Sequence, residues 1–352
     1  MLGFILSILD PLVYHACNAV TTVSDHFNAS TKRNEEPDET LSTCRYRLDD
    51  STTSTFTLPD GRTLGYATFG STDPNAHTVF KCHGWPAARS EGTYIEEAAK
   101  RLNVRMICID RPGLGLSSPN PRSTILSHVQ DMQCLTEHLK LESYGVLGVS
   151  GGGPYALACA YALPADKLKI VSIVCGLGPA DIGYRGMFFM NYLGWTYAPH
   201  YTPMTLKWFF SRDPGCRMDL GDKGRLQLMI KDFERQRPKM HPKDAKCLGD
   251  IDFMKAHLKR SNDVLAQGWN GALKDMKLLA SDPGFRVEDI RKDLKVKLLY
   301  GRLDGNVPLN HGIQVAKRLG DNAELTILDD ETHASIYLEH RDEFLADMVK
   351  CM

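Results

Sequence analysis

The sequence predicts an α/β fold with a mostly parallel central sheet, helices on both faces of the sheet, and a helical cap or lid insertion. Short runs such as VRMICID and KIVSIVC are apolar almost throughout, as strands buried on both faces are. Stretches with apolar residues at helical spacing separate these runs. The alternation stops between about Gly178 and Asp293 and then resumes, which indicates an insertion within one sheet.

The core begins with two short strands in FTLPDGRTLGYATFG, which an Asp60-Gly61 turn joins. The buried strand HTVFKC follows and ends in a glycine loop. Helices and buried strands then alternate as a parallel sheet requires. In order, these are helix 90–102, strand VRMICID, helix 127–139, strand YGVLGV, helix 152–163 and strand KIVSIVC.

After the insertion the sequence predicts strand VKLLYG, helix 311–319, strand ELTILD and a last helix near residues 336–348. We therefore predict three parts. Residues 1–54 form an apolar helix and an extended connection, residues 55–178 and 294–352 form the core, and residues 179–293 form the insertion. Most aromatic residues of the insertion should pack internally, while some line one side of a pocket.

Composition argues against nucleic acid as a partner, because 42 Lys and Arg balance 43 Asp and Glu among 352 residues. The N-terminus MLGFILSILDPLVYHACNAV is apolar, but Asp10 and Pro11 interrupt it and no basic residue precedes it. This pattern argues against a membrane span and against a cleavable signal. We predict a cytoplasmic protein whose N-terminal helix packs on the fold, on a partner or at a membrane interface as a peripheral contact.

Ten cysteines are spread from Cys17 to Cys351 without a CxxC pair. Cys108, Cys159 and Cys175 lie in apolar runs, where a thiol behaves as a small buried hydrophobic group. The spacing of zinc ligands is missing. We predict reduced, structural cysteines of an intracellular protein, with no metal and no cofactor.

The strongest chemical signal is Gly148-Val149-Ser150-Gly151-Gly152, a G-x-S-x-G between the strand YGVLGV and the next helix. A sharp strand-to-helix turn strains the backbone of its central residue, and glycines two positions before and after remove Cβ atoms that would clash. Ser150 would then project its hydroxyl outward as a nucleophile. The alternative is a glycine-rich turn whose serine only caps the helix.

A serine hydroxyl is a weak nucleophile, so it needs a base and an acid that orients the base. Asp304 follows the strand VKLLYG, and His333 follows the strand ELTILD. Ser150, Asp304 and His333 are therefore the candidate catalytic triad. Two alternatives for the acid stay open: Asp181, which follows KIVSIVC, and the carboxylates that crowd His333, which are Asp329, Asp330 and Glu331.

A tight loop, His83-Gly84-Trp85-Pro86, follows the strand HTVFKC. We predict that an oxyanion binds there, with the backbone N–H groups of Trp85 and Gly151 as donors. His83 is interpreted as a structural residue that holds the loop, with a role as a second base as the alternative.

Together these motifs resemble the α/β-hydrolase fold superfamily, over roughly Thr55 to Met348. The resemblance rests on HGWP, DRPGLGLS at 110–117, the GVSGG turn, the Asp304 loop and His333, in that order. It implies the family's Ser, Asp, His order and a structural role for Asp110 and Arg111 beneath the active site. Epoxide hydrolases and haloalkane dehalogenases of this fold have an aspartate where this chain has Ser150, and HGWP lacks the HGGG pattern of many lipases.

The resemblance implies a serine hydrolase that cleaves an ester or lactone of a small, mostly apolar molecule through an acyl-enzyme on Ser150. The neutral overall charge of the chain fits an uncharged substrate. The same fold hosts C–C bond hydrolases, lyases, acyltransferases and cyclases, so an enzyme of natural-product (polyketide-like) metabolism is the alternative. A ligand-binding receptor on this fold is a further alternative. The intact Ser150, Asp304 and His333 favour an enzyme.

Overall fold

An eight-stranded sheet forms the centre of the protein in the computed structural model, which describes residue 7, residues 9–15 and residues 43–352. The strands are β1 (Thr53–Thr57), β2 (Thr63–Gly70), β3 (His77–Cys82), β4 (Val104–Ile109), β5 (Tyr144–Val149), β6 (Leu168–Val174), β7 (Val296–Gly301) and β8 (Ala323–Leu328). Their spatial order is β1-β2-β4-β3-β5-β6-β7-β8.

Strands β3 to β8 all run parallel to one another. Only β1 and β2, among the strands of the described residues, pair antiparallel to their neighbours. The turn between them includes Gly61, whose φ of 84° suits glycine. The mostly parallel sheet that the sequence predicts is confirmed.

Helices cover both faces of the sheet. One buried cluster joins the strands to α3, α4 and α11, and a second joins them to α2, α12 and α13. Because both faces are covered, the strands can be apolar throughout. The bounds of these helices are α2 (Glu96–Arg101), α3 (Ile125–His138), α4 (Gly153–Ala162), α11 (Asn310–Leu319), α12 (His333–Glu339) and α13 (Arg341–Val349).

Local sequence explains where α3 begins and how it packs. The Thr124 side chain accepts a hydrogen bond from the Ser127 backbone N–H, and the Ser127 side chain accepts one from Thr124 N–H, which is a capping box. Its buried apolar residues include Ile125, Val129 and Met132, at the three- and four-residue spacing of one helix face.

The chain between β6 and β7, all of which the structure describes, forms helices and no strand. We call this stretch, residues 175–295, the insertion. The helical insertion that the sequence predicts is therefore confirmed. Its α-helices are α5 (Phe189–Tyr201), α6 (Pro203–Phe210), α7 (Asp222–Gln236), α8 (Pro242–Leu248), α9 (Ile251–Leu265) and α10 (Asn270–Leu279).

The described residues at the start of the chain, 7 and 9–15, are helical, and we call residues 9–15 helix α1. The Asp10 carboxylate accepts hydrogen bonds from the backbone N–H groups of Met204 and Thr205, at 2.8 Å each, so it caps the first turn of α6. The rest of the predicted N-terminal region, residues 1–6, 8 and 16–42, lies outside the described residues. None of the helices in the described residues is long and apolar enough to cross a bilayer.

Two element predictions differ from the structure. The predicted helix 90–102 starts as a 3₁₀ helix, Arg89–Ile95, before α2. The predicted last helix, near residues 336–348, is two helices: α12 begins at His333, three residues before the predicted start, and ends at Glu339, and α13 begins at Arg341. His333 therefore lies in the first turn of α12.

Candidate active site

Ser150 lies in the turn between β5 and α4 with a φ of 52°, in the left-handed backbone region that residues other than glycine rarely adopt. Gly148 and Gly152 lack a Cβ, which the close packing around this turn leaves no space for. A Cβ on Gly148 would lie 2.6 Å from the Ala156 Cβ, and one on Gly152 would lie 2.0 Å from the carbonyl oxygen of Cys82. The strained turn requires glycine at both positions, as the G-x-S-x-G pattern predicts.

The structure brings Ser150, His333 and Asp304 into one hydrogen-bonded chain. Ser150 Oγ lies 3.0 Å from His333 Nε2, and His333 Nδ1 lies 2.7 Å from Asp304 Oδ2. A neutral imidazole that donates from Nδ1 to Asp304 presents Nε2 as the acceptor for the serine hydroxyl. The three residues follow the carboxyl ends of β5, β7 and β8, which meet at one edge of a parallel sheet.

Asp304 is held by its own loop. Its Oδ1 accepts hydrogen bonds from the backbone N–H groups of Asn306 and Val307, at 2.8 Å each, so Oδ2 remains for His333. Burial lowers the pKa of His333, but the adjacent Asp304 carboxylate outweighs burial and raises that pKa above its usual value. The carboxylate therefore stabilises the imidazolium form.

The alternative acids lie elsewhere. Asp181 forms an exposed ion pair with Arg318, at 2.7 Å. Asp329 pairs with Arg302, at 2.7 Å. Asp330 and Glu331 both pair with Lys243, at 3.1 Å and 2.6 Å. The structure thus places Asp304, and none of these four carboxylates, against His333 Nδ1.

The HGWP loop packs directly against the turn that carries Ser150. A Cβ on Gly151 would lie 3.0 Å from the backbone nitrogen of Trp85, so the two predicted oxyanion donors belong to residues in contact. The backbone N–H of Gly84, the residue before Trp85, already donates a hydrogen bond to Glu91 Oε2, at 3.0 Å. The Trp85 indole N–H donates to the Ala272 carbonyl at 2.8 Å, which ties the loop to α10.

His83 is buried behind this loop. Arg111 Nη2 donates to His83 Nδ1 at 2.8 Å and to the Gly84 carbonyl at 2.6 Å, and it forms an ion pair with Asp275 of α10 at 3.0 Å. Burial, together with the Arg111 charge, lowers the pKa of His83 well below its usual value, so its imidazole is neutral. These contacts support a structural role for His83 and Arg111.

Asp110 is also buried beneath the site. It pairs with Arg89 at 2.9 Å and accepts the Leu116 N–H at 2.9 Å. Burial raises the pKa of Asp110 to about 6, although Arg89 opposes this shift. The Asp110 carboxylate therefore shapes the DRPGLGLS segment through hydrogen bonds. Its partners do not include Ser150, His333 or Asp304.

One cluster in the described part of the chain brings three metal-ligand atoms within 4.8 Å of one another, those of Cys175, Asp304 and His333. The atoms Nδ1 of His333 and Oδ2 of Asp304 already bond to each other. Burial raises the pKa of the Cys175 thiol, which keeps it protonated, and the thiolate is the form that binds metals. The donor set is therefore poorly suited to a metal ion.

A cavity of about 830 Å³ lies over Ser150. The core contributes the HGWP loop, Ser150 and His333, and the insertion contributes apolar side chains of α5 and α6 such as Trp195, Leu206 and Phe210. Trp85 packs edge-to-face on Trp195 and Phe210, with ring centres 5.5 Å and 5.2 Å apart. The insertion thus forms one wall of the cavity.

Sequence reasoning missed a polar group of cavity residues. Glu91, Tyr94, His257, Arg260 and Tyr337 line the cavity, and none was predicted as part of the site. Lys81, buried in β3, pairs with Glu91. A lysine inside the otherwise apolar run HTVFKC was the available signal, because a buried charge requires a buried partner.

The comparisons with known proteins agree with the geometry. A family model described as alpha/beta hydrolase family matches residues 82–347. None of the curated proteins compared with the chain matches it.

Solved structures share the fold at low identity. An esterase from Exiguobacterium antarcticum superposes with a TM-score of 0.55 and 17% identity, covering 84% of this chain and 98% of that chain. An enol-lactonase from Burkholderia xenovorans superposes with a TM-score of 0.53 and 17% identity, covering 84% of this chain and 98% of that chain. For a thermophilic esterase from Thermogutta terrifontis the TM-score is 0.55 and the identity 17%, with 85% of this chain and 98% of that chain covered.

Proposed function

Because the chain belongs to the alpha/beta hydrolase family, we propose that it is a serine hydrolase that cleaves an ester or lactone through an acyl-enzyme on Ser150. One observation carries this proposal: the continuous hydrogen-bonded chain from Ser150 Oγ through His333 to Asp304. That arrangement makes a serine nucleophilic. The esterases and the enol-lactonase of the same fold are consistent with this chemistry.

In the first half-reaction Ser150 Oγ attacks the carbonyl carbon and His333 Nε2 takes the serine proton. Asp304 stabilises the resulting imidazolium through Nδ1. When the tetrahedral intermediate collapses, the C–O bond to the leaving alcohol breaks and His333 returns the proton to that oxygen. The acyl group is then an ester of Ser150.

In the second half-reaction water attacks the acyl carbon. His333 Nε2 takes a proton from the water, the bond to Ser150 Oγ breaks, and the proton passes to Ser150. The products are a carboxylic acid and the free enzyme. In a lactone the alcohol remains attached to the acid, so the product is one hydroxy acid.

The oxyanion of both intermediates would bind the backbone N–H groups of Trp85 and Gly151. Their contact beside Ser150 supports this assignment. Gly151 also lies in the turn that leads into α4, so the positive end of the helix dipole stabilises negative charge there.

The apolar wall that α5 and α6 form supports a small, mostly apolar substrate. We interpret the insertion as a cap over the active site for the same reason. The alternative is an acyltransferase, lyase, cyclase or C–C bond hydrolase with the same triad. Product analysis with and without a competing nucleophile such as an alcohol separates hydrolysis from acyl transfer.

The test is Ser150→Ala, assayed with p-nitrophenyl butanoate and with a fluorophosphonate probe. We expect turnover to fall by about 10⁶-fold, to the level that binding alone supports, and labelling to be lost. The matched control is Ser143→Ala, because Ser143 directly precedes β5, the strand that ends just before Ser150. Turnover at the wild-type rate in folded Ser150→Ala would disprove the proposal.

A further inference from the structure

Glu91 is a buried carboxylate beside the nucleophile, and the mechanism above gives it no role. It lies in the 3₁₀ helix Arg89–Ile95, borders the cavity and is 5% exposed. A Cβ built on Gly84 would lie 3.3 Å from Glu91 Oε1 and 3.5 Å from the Ser150 Cβ. Gly84 therefore lies between this carboxylate and Ser150.

Two positive charges keep Glu91 ionised. Lys81 of β3, whose side chain is fully buried, donates a hydrogen bond to Glu91 Oε2. Arg260 of α9 lies near the other oxygen, with its Nη1 3.7 Å from Oε1. Burial raises the pKa of Glu91, but Lys81 and Arg260 outweigh burial and hold that pKa below its usual value. Glu91 is therefore a charged hydrogen-bond acceptor.

The Glu91 carboxylate also holds the HGWP loop. Its Oε2 accepts the backbone N–H of Gly84 at 3.0 Å, and hydrogen bonds to an ionised acceptor are stronger than those between neutral groups. The Gly84 carbonyl accepts a hydrogen bond from Arg111 Nη2, at 2.6 Å. Buried charged side chains thus anchor Gly84 at both its N–H and its carbonyl.

These two anchors matter because glycine has no Cβ to restrict its φ and ψ. The hydrogen bonds at its two ends therefore fix the conformation of Gly84. The peptide bond from Gly84 to Trp85 is trans, so its carbonyl and its N–H point in opposite directions. With the carbonyl directed at Arg111, the Trp85 N–H points the other way. The direction of this predicted oxyanion donor depends on how Gly84 is anchored.

Stability alone does not explain the ion pair between Lys81 and Glu91. Removing two charges from water costs about as much as their attraction returns, and apolar side chains of the same volume are often equally stabilising. The neighbours of Lys81 in β3, Phe80 and Cys82, are buried and apolar. What the lysine provides in this strand is a fixed position for a carboxylate beside Gly84.

We propose that Glu91 is a positioning residue for the oxyanion site. Its carboxylate anchors the Gly84 N–H, so that the Trp85 N–H is directed at the negative oxygen of the tetrahedral intermediate before a substrate binds. Lys81 holds the carboxylate in place, and Glu91 exchanges no proton with the substrate. This inference rests on the proposed ester hydrolysis, with Trp85 as an oxyanion donor.

The test compares two double variants, Lys81→Met with Glu91→Gln and Lys81→Met with Glu91→Leu. Both remove the two charges together, so neither leaves an unpaired buried charge. Glutamine keeps an oxygen that accepts the Gly84 N–H, whereas leucine, of similar size, has no acceptor. The comparison therefore isolates the hydrogen bond to Gly84. Glu91→Met with Lys81→Met is a second apolar replacement, because unbranched methionine adapts to the space of the original side chain.

Hydrolysis of p-nitrophenyl butanoate is measured below the thermal midpoints of all three proteins. We expect kcat with Glu91→Leu or Glu91→Met to be about tenfold or more below kcat with Glu91→Gln, because a displaced oxyanion donor weakens the transition state most. The KM values should stay similar. Butylboronic acid forms a tetrahedral adduct with a nucleophilic serine, so its affinity should fall with kcat across the same proteins.

Equal kcat in the Glu91→Gln and the apolar double variants overturns this inference, since a purely structural ion pair would affect them alike. A difference confined to KM overturns it as well. Fluorophosphonate labelling of the wild type, lost in Ser150→Ala, tests the nucleophile independently of Glu91. Retained turnover in Ser150→Ala would instead overturn the proposed function.

Discussion

Ser150 and His333 owe their geometry to single residues around them. The positive φ of Ser150 persists because Gly148 and Gly152 leave space for the tight turn. His333 is oriented by Asp304, whose own position depends on the backbone N–H groups of Asn306 and Val307. The nucleophile and the base are therefore both positioned before a substrate binds, which reduces the reorganisation required for reaction.

Asp304 should control the pH dependence of ester hydrolysis. His333 accepts a proton only when neutral, so kcat/KM should rise with pH through the pKa of His333, which the Asp304 carboxylate raises above its usual value. In Asp304→Asn this increase should move to lower pH, because the carboxylate that favours the imidazolium is gone. The maximal rate should fall by about 10⁴-fold. A pH–rate profile measures both effects.

Asp181→Asn is the control for this prediction. Asp181 forms an exposed ion pair with Arg318, and breaking such a pair costs about 1 kcal/mol or less. The pH profile of this variant should match that of the wild type. A greater loss of activity in Asp181→Asn than in Asp304→Asn would contradict the assignment of the acid.

At the scale of elements, one helix and one loop organise the site. Helix α12 begins at His333 because Thr332 caps it, and one turn later the same helix presents Tyr337 to the cavity. The HGWP loop is linked to the insertion through Trp85, whose ring contacts Trp195 and whose indole bonds to Ala272. The insertion thus supports the loop that holds the predicted oxyanion donor.

Trp85→Phe tests this link. Phenylalanine keeps an aromatic ring against the insertion but cannot donate to the Ala272 carbonyl, so the loop loses a hydrogen bond of about 1 kcal/mol. We expect kcat to fall by about tenfold with a smaller change in KM, because the backbone donor matters most in the transition state. Steady-state kinetics with p-nitrophenyl butanoate measures the two constants.

Trp208→Phe is the matched change for comparison. The Trp208 indole nitrogen is buried and has no hydrogen-bond partner among the described residues, and Trp208 does not line the cavity. This variant should keep the wild-type kcat. An equal loss of kcat in both variants would show that Trp85 acts through general stability instead of loop position.

At the scale of the whole molecule, the N-terminus is attached to the insertion and still presents apolar surface. Asp10 caps α6, while Leu9, Leu12 and Val13 of α1 are 43%, 63% and 41% exposed. Exposed apolar residues on a short helix are typical of peripheral membrane contact. The predicted membrane contact would then lie beside α6 of the insertion.

The triple variant Leu9→Ser, Leu12→Ser and Val13→Ser tests the membrane contact. We expect the full-length wild type to co-sediment with vesicles of phosphatidylcholine and phosphatidylserine, and the variant to pellet several-fold less because apolar burial is lost. A control with Ile230→Ser, Leu303→Ser and Ile313→Ser changes exposed apolar residues elsewhere. Wild-type protein that stays in the supernatant would contradict the prediction.

Local chemistry explains which elements the sequence predicted well. The strands VKLLYG and YGVLGV match β7 and β5 residue for residue, because an apolar run bounded by turn residues marks a buried strand. The last helix was predicted as one element because its spacing of apolar residues continues past Glu339. Periodicity alone does not register the Thr332 cap or the break at His340.

The fold and the turn that carries Ser150 could be predicted from sequence, because apolar runs mark the buried strands and glycines surround the serine within a few residues. Which carboxylate meets His333, and which side chains share the cavity, depends instead on contacts between distant parts of the chain. Asp304 and Asp181 both follow strands, but packing directs one to His333 and the other to Arg318. Tyr94, Arg260 and Tyr337 come from elements far apart in sequence. Their convergence depends on how the insertion packs on the core, which no local pattern encodes.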